Sequence, residues 1–596
     1  MPGPVVHVLQ DVLTPMLGRP EALYLAAGGF GLAAGETLSS DSYFNSFYLG
    51  PWRAHARIGR LGVRLQLDGS ALLRVVGIDD ADARHVLVEG AADRLIWIDA
   101  FGPTDLAGRP DLRRLFVEVE AQSDCRIASL AYVTDTPPAN DIRLSIGICT
   151  FNREAYLAET LAALAEARRD TPEIRAIRVV NQGPGFTDPA LAAELENSGA
   201  ELIEQANLGG CGGFARTMYD AAIADDDATH HLLMDDDIQL DARVIARAIR
   251  FAAHARHDLT IGGQMLDIME PGTVYEAGGI MDAGWQGKGF GKDADLTDPV
   301  SLSLFDAPVA IHYNCWWWCM MPTALIRDIG LPAPYFIRGD DVEYGCRATA
   351  AGVPTVPLPG VCVWHESFGY KLADWLTYYD VRNRLANAAL YPQFAARLDL
   401  LYLLGVFFNY MLLHRYAAAE VIAMAVRDYL AGPEALASED SEARHHRLLA
   451  DIARMPKPEV VARVDPADYD AAASKVSFLH YGIGETVWGF TAIFARISLG
   501  LRRRRPVLFE IGPNHPALVG GRGYAMPLDI EHSRYAVFTP SRLALWGNTA
   551  RVAWSMLVYL MRRRSAARRW REGFGALSET RAWQQRFAIP RGRDLP

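Results

Sequence analysis

"LLMDDDIQLD", Leu232–Asp241, sets an apolar run directly against three consecutive carboxylates, Asp235, Asp236 and Asp237. The apolar residues read as a short buried strand. Adjacent carboxylates at its end repel one another unless a cation lies between them, and a hard divalent ion, Mn²⁺ or Mg²⁺, is the economical answer. In extended backbone successive side chains alternate, so Asp235 and Asp237 point one way and Asp236 the other. That selects the outer pair as candidate ligands. A solvated acidic turn that caps the next helix is the plainer alternative. A second triplet, Asp225 to Asp227, has no strand before it and is read as solvated.

Outward from this stretch the rhythm is strand, loop, helix. "LSIGIC" (144–149) is a buried strand; "TFNRE" follows, then Leu157, Leu161 and Leu164 at helical spacing, with Asn152 as N-cap. The pattern repeats through "IRAIRVVNQG" and "AELIEQ", and again through "HHLLMDDD". Strands alternating with helices imply a parallel sheet whose ligand sits at the strands' carboxyl ends, so the four loops should converge on one site. Upstream, apolar and polar residues alternate (Leu61, Val63, Leu65, Leu67; Leu115, Val117, Val119), which reads as an antiparallel β-sandwich. "TDTPPAND" (134–141) is a linker by its prolines. Downstream of about residue 370 the chain is mainly helical. The expected organisation is multidomain α/β: a β-sandwich over 1–135, a Rossmann-like α/β domain over 141–370 and a helical, Arg-rich region over 371–596.

Three further stretches carry chemistry. "PYFIRGDDVEYGCRA" (334–348) brings Asp340 and Asp341 to what looks like a helix start, where the dipole favours a charged carboxylate; this suits a base and equally suits capping. "VCVWHESF" (361–368) places His365 after a buried strand, as a core histidine or a third ligand for the acidic pair. "YNCWWWCMMP" (313–322) holds three consecutive tryptophans, of which at least one should face outward as a platform for a sugar ring, while ordinary core packing takes at least one other. The glycines of "NLGGCGGFAR" (207–216) could admit a phosphate to a helix N-terminus, but neither nucleotide-loop fingerprint is present.

Bulk properties exclude several classes. Half of the 596 residues are apolar and 22% charged, so the chain is globular, and a net charge of −12 speaks against a nucleic-acid partner. Seven cysteines without a CxxC pair suggest reduced thiols in the cytoplasm. The N-terminus lacks a signal peptide's basic start and long apolar stretch. "LLYLLGVFFNYMLL" (400–413) falls short of the roughly 20 residues that span a bilayer and reads as a buried or interfacial helix. The last 56 residues interleave arginines, from Arg542 to Arg593, with Leu543, Trp546, Trp554 and Leu557. Such a surface is attracted to anionic lipid headgroups, or it is a solvated helix face.

Taken in order, "TFNRE", "NQG", "NLGGCGGFAR", "LLMDDD", "YNCWWW", "FIRGDDVEYGCRA" and "VWHESF" resemble glycosyltransferase family 2 enzymes with a GT-A fold. Among these they are most similar to the bacterial galactofuranosyltransferases that polymerise mycobacterial cell-wall galactan. "SYFNSFYLGPWR" (42–53) extends the resemblance toward the N-terminus. The resemblance implies that Asp235, Asp237 and His365 bind the divalent metal and that Asp341 is the general base toward the acceptor hydroxyl. It places Arg153, Gln182, Asn207 and Asp236 with the uridine nucleotide, and Glu276, Trp316, Trp317 and Asp340 with sugar and acceptor. Two positions depart from the pattern, His312 for an acidic residue and Gly339 for a tryptophan, both on the acceptor side.

The implied function is inverting, metal-dependent transfer of galactofuranose from UDP-galactofuranose to a glycan or polyprenol-linked glycan, in the cytoplasm and peripheral at the inner membrane face. Oligomeric state is left open. Competing readings keep the fold but change the donor, to a rhamnosyl or N-acetylhexosaminyl nucleotide, or make the chain a non-catalytic glycan-binding protein.

Overall fold

The computed structural model describes residues 5–91, 95–100, 109–224, 227–282, 287–366, 373–394, 399–471, 483–501, 505–510, 512–513, 515–529 and 532–588. Asp225, Asp226, Ser367, Phe368, Arg591 and Arg593 from the sequence reading lie outside these residues.

The N-terminal part is the expected β-sandwich. One antiparallel sheet is built on Arg60–Asp68 and Cys125–Thr134, the other on Ala71–Ile78 and Arg114–Ala121, and their alternating apolar residues meet between them. The sandwich is fused to the next layer through polar contacts as well as apolar ones. Arg114 bonds both Asp41 and Asp306 at 3.0 Å, and Tyr43 of the "SYFNSFYLGPWR" stretch donates to Gln264. One continuous hydrophobic cluster runs from Leu9 of the sandwich to Trp364 of the central sheet.

The central sheet comprises β1 (Leu144–Thr150), β2 (Ile174–Asn181), β3 (Glu201–Glu204), β4 (His230–Asp235), β5 (Gln239–Leu240), β6 (Thr260–Asp267), β7 (Val274–Glu276), β8 (Trp318–Pro322) and β9 (Thr355–His365). Their order is β3-β2-β1-β4-β8-β6-β9-β5, with β7 beside β6. The first four are parallel, and the order reverses at β1, where such sheets open a crevice at their carboxyl ends. A wholly parallel sheet was expected; β8 instead runs antiparallel to both β4 and β6. The reason lies in residues 268–317, whose described residues contain hairpin strands and a 3-10 turn but no crossover helix, so the chain returns from the opposite side. This mixed sheet with helices on its faces is the GT-A arrangement.

Six helices matter below: α1 (Glu154–Asp170), α2 (Gly209–Ala222), α3 (Asp340–Ala350), α4 (Leu376–Leu390), α5 (Asp399–Leu412) and α6 (Tyr416–Ala431). Asn152 does not cap α1: it takes a left-handed φ of 58° and leaves Arg153 as the N-cap residue. The apolar stretch at 400–413 is α5, whose Leu403, Phe407 and Met411 are buried. No helix among the described residues is long and apolar enough to cross a membrane. α7 (Ile483–Leu499) and α8 (Arg542–Gly573) pack near the C-terminus. The helical region also contains a small five-stranded sheet over residues 459–538, whose strands of two to four residues are too short to show a period in the sequence.

Candidate functional site

β4 ends at Asp235, and the chain turns so that Asp237 lies beside it. β9 ends at His365, delivered from across the sheet. One ligand atom from each of Asp235, Asp237 and His365 lies within 4.8 Å of the others, a grouping able to hold a metal ion. His365 Nδ1 is 2.7 Å from the Glu366 carbonyl oxygen, which can only accept, so Nδ1 carries the proton. The other nitrogen, Nε2, then presents its lone pair to Asp237 Oδ1 at 3.1 Å. Two acceptors at that distance repel unless the ring is protonated or a cation sits among them. The donor set therefore fits a divalent ion, two carboxylate oxygens and an imidazole whose tautomer is fixed from behind.

Arg153 crosses this cluster and donates to the other oxygen of Asp237. Asp236 is turned inward, 7% exposed, with its carbonyl accepting from Thr160 Oγ1 at 3.1 Å. Burial, reinforced by Asp237, pushes its carboxyl up to about 7.

Gln182 is buried with both ends of its amide engaged: Nε2 donates to the Gly209 carbonyl at 2.8 Å, and Oε1 accepts from the Leu208 amide at 2.9 Å. It ties β2 to the glycine-rich loop. Asn207 is partly exposed, its Oδ1 accepting from the Gly209 amide at 3.0 Å. The glycines have packing reasons. A Cβ on Gly209 would lie 2.0 Å from the Phe336 carbonyl oxygen, and one on Gly213 would lie 2.1 Å from Cys149 Sγ.

Asp340 and Asp341 open α3 as expected, but the helix dipole does not decide their charge. Burial raises both carboxyls, with Asp341 adding to the effect on Asp340. Desolvation of this size outweighs a terminal dipole. Asp341 Oδ1 accepts from the Val342 amide at 2.8 Å. The thiol of Cys315 lies between Asp341 and Glu276, within 3.6 Å of Glu276 Oε1 and hydrogen-bonded to Asp341. Burial, with Asp341 nearby, pushes Glu276 up to about 7. Asp340 faces Cys211 of α2 and lies within electrostatic reach of Cys149, which also feels Asp235 and Asp236. Cys149 thus lies within electrostatic reach of both acidic groups.

The outward tryptophan platform expected in "YNCWWWCMMP" is not formed. Trp316 is 5% and Trp317 4% exposed, and Trp318 is fully buried. Trp316 inserts edge-on between Phe214 of α2 and Tyr344 of α3, and the Trp317 indole donates to the Gly263 carbonyl at 3.0 Å. The Trp316 ring is large enough to fill the gap between these helices. Cys315, which the sequence reading passed over, is the residue of this stretch that reaches the acidic pair.

The loop leading into α3 is strained. Phe336 and Arg338 have φ of 72° and Gly339 76°. A non-glycine residue in this region costs about 1–3 kcal/mol and persists only where the surroundings over-determine it.

A sequence-family profile described as "Glycosyltransferase like family 2" matches residues 141–384. The chain is 31% identical over 428 residues to galactofuranosyltransferase GlfT2 of Mycolicibacterium smegmatis, covering 67% of this chain and 65% of that protein. It is 30% identical over 449 residues to galactofuranosyltransferase GlfT2 of Mycobacterium tuberculosis, covering 70% and 69%. The alignments thus span about two thirds of the length of these relatives. Among solved structures, mannosyltransferase PcManGT from Pyrobaculum calidifontis in complex with GDP-Man and Mn2+ matches at 14% identity with a TM-score of 0.31, covering 53% of this chain and 81% of that one.

Proposed function

The chain belongs to glycosyltransferase family 2, alongside the mycobacterial galactofuranosyltransferases GlfT2, and from that premise we propose that it transfers galactofuranose from UDP-galactofuranose to a glycan or polyprenol-linked glycan hydroxyl with inversion. The observation that carries this reading is a three-ligand cluster, Asp235, Asp237 and His365, together with a separate buried carboxylate pair, Asp340 and Asp341, of raised affinity for protons, both groups lying within electrostatic reach of Cys149. The organisation proposed with it is a sandwich over 1–135, a catalytic domain over 141–370 and a helical region over 371–596.

Asp235, Asp237 and His365 would hold Mn²⁺ or Mg²⁺. Such an ion supplies Lewis-acid neutralisation of the charge that develops on the departing diphosphate. Arg153, beside Asp237, adds a fixed cation on the same side; Asn207 is assigned to the nucleotide side, and Asp236, turned inward, supports it from within. Gln182 acts from beneath, by fixing the loop that carries Asn207. Across the crevice, Asp341 accepts the proton of the acceptor hydroxyl as its oxygen attacks the anomeric carbon and the bond to UDP breaks. One proton moves to Asp341 and one electron pair leaves with UDP, so no covalent sugar-enzyme species is needed. A carboxyl with a raised proton affinity is a stronger base when ionised, which suits this role. Glu276 and Asp340 shape the acceptor side, and the Cys315 thiol, kept protonated by burial, bridges Glu276 and Asp341. Trp316 and Trp317 act there as buried supports of the wall.

The donor is tested by incubating the protein with Mn²⁺, a short galactofuranoside and, in parallel, UDP-galactofuranose, dTDP-rhamnose or UDP-N-acetylglucosamine. Extension of the acceptor with UDP-galactofuranose alone is expected. Extension only with another donor would reassign the substrate, and UDP release with none would end the reading.

A peripheral membrane contact is proposed with it. α7 and α8 meet through Phe494 and Trp546; Trp488 (75% exposed), Leu543 (87%) and Trp554 (67%) face outward on these two helices, and Arg562, Arg564 and Arg568 are exposed further along α8. Other arginines of this tail serve the interior: Arg571 donates to the Ala389 carbonyl and Arg586 to that of Leu436. In flotation assays the protein should rise with vesicles containing anionic lipid and remain below with neutral ones; Trp488→Ser with Trp554→Ser should reduce the floated fraction several-fold.

A further inference from the structure

Asp341 is aimed by the backbone immediately before it. The left-handed φ values at Phe336, Arg338 and Gly339 turn the chain into α3, so the direction of the Asp341 side chain depends on that turn being held. The groups that hold it come from a different element, one face of α4.

Asn383 Nδ2 donates to the carbonyls of Ile337 at 3.0 Å and Arg338 at 2.7 Å. One helical turn on, Asn387 Nδ2 donates to the Gly339 carbonyl at 2.8 Å. The acceptor end of each amide is also fixed. Arg382 Nε donates to Asn383 Oδ1 at 2.9 Å, and the Tyr335 hydroxyl donates to Asn387 Oδ1 at 2.7 Å. Arg382 Nη2 takes the Tyr335 carbonyl at 2.9 Å, so the carbonyls of residues 335, 337, 338 and 339 are all bonded by three side chains of one helix. Both asparagines are 1% exposed. From the other side the Phe336 carbonyl accepts from the Cys211 amide of α2 at 3.1 Å. A side chain at Gly339 would point at the same asparagines, its Cβ 3.3 Å from Asn387 Nδ2 and 3.6 Å from Asn383 Cβ. The glycine that departs from the family pattern is thus the residue that leaves room for this clamp.

We propose that Asn383 and Asn387 are positioning residues: they lock the Phe336–Gly339 turn and thereby hold Asp341 at the angle from which it takes the acceptor's proton. This rests on the assignment of Asp341 as the base. The metal cluster lies at the ends of β4 and β9, whereas the clamp comes from α4.

Three variants of the full-length protein test it, each assayed for kcat, donor KM and Mn²⁺-dependent UDP affinity, with circular dichroism and Tm as the check on folding. Asn387→Ala should lower kcat roughly 10–100-fold, the effect of a misplacement near 1 Å, with donor KM and UDP affinity within about twofold of the parent. Tyr335→Phe removes only the hydroxyl that orients Asn387 and should lower kcat by several-fold in the same pattern; it carries the test if Asn387→Ala does not fold. Asp341→Asn is the control. In its background Tyr335→Phe should reduce the residual rate no further, because the group being aimed is gone. A parent-like kcat in both clamp variants, or loss of UDP affinity in parallel with kcat, would overturn the positioning role. Parent-like activity in Asp341→Asn would instead remove the base assignment.

Discussion

Asp341→Asn is expected to lower kcat for sugar transfer by about 10³-fold, within the range a positioned general base contributes. That corresponds to about 4 kcal/mol of barrier. The amide keeps the volume and can still accept from the Val342 amide, so the fold and the turn before α3 should survive. Mn²⁺-dependent UDP binding should be unchanged, because the proposal assigns the diphosphate to the ion that Asp235, Asp237 and His365 would hold and to Arg153, not to Asp341. The sign of the pH dependence follows from the raised proton affinity. The base must be ionised, so kcat should fall as pH drops through a value above the ordinary range near 4. In Asp341→Asn that acid limb should disappear from the residual rate. A full acid limb in the variant would show that another group takes the proton.

Asp237→Ala should have an effect of similar size by a different route. Asp237 meets His365 through one oxygen and Arg153 through the other, so its loss removes a candidate ligand and leaves the guanidinium without that carboxylate. Loss of a group that merely orients a ligand costs 10–100-fold in metal affinity, and loss of the ligand itself should cost at least about 100-fold. In the parent, UDP with Mn²⁺ should raise Tm by an amount that grows with ligand concentration. In the variant the shift should vanish, as it should for the parent in EDTA. An Mn²⁺-independent shift in the parent would place the nucleotide without the cluster.

The central site was readable because its residues announce themselves locally. An apolar run ending in Asp235 to Asp237 raises the question of a cation, though a solvated turn was the plainer alternative, and the strand-loop-helix rhythm around it indicates where such loops converge. The sandwich was equally legible from the alternation along Leu61 to Leu67. What stayed hidden depends on contacts between distant segments. Nothing in "YNCWWWC" separates a buried indole from an exposed one, because the gap Trp316 fills is made by Phe214 and Tyr344. The antiparallel course of β8 depends on how fifty residues of excursion return, which no local period encodes. The charge preference of Asp340 and Asp341 was read from the helix terminus alone, while the desolvation that opposes it comes from the surrounding layers. Asn383 and Asn387 look like ordinary polar positions on a helix until the carbonyls of Ile337, Arg338 and Gly339 are seen beneath them.

The most direct test is NMR of a single incubation containing UDP-galactofuranose, Mn²⁺ and a short galactofuranoside, following the anomeric signals of donor and product. The proposed mechanism requires the donor signal to be replaced by a glycosidic signal of opposite configuration on a lengthened acceptor, at the rate at which UDP appears. Retention of configuration, or free galactofuranose as the sole product, would contradict it.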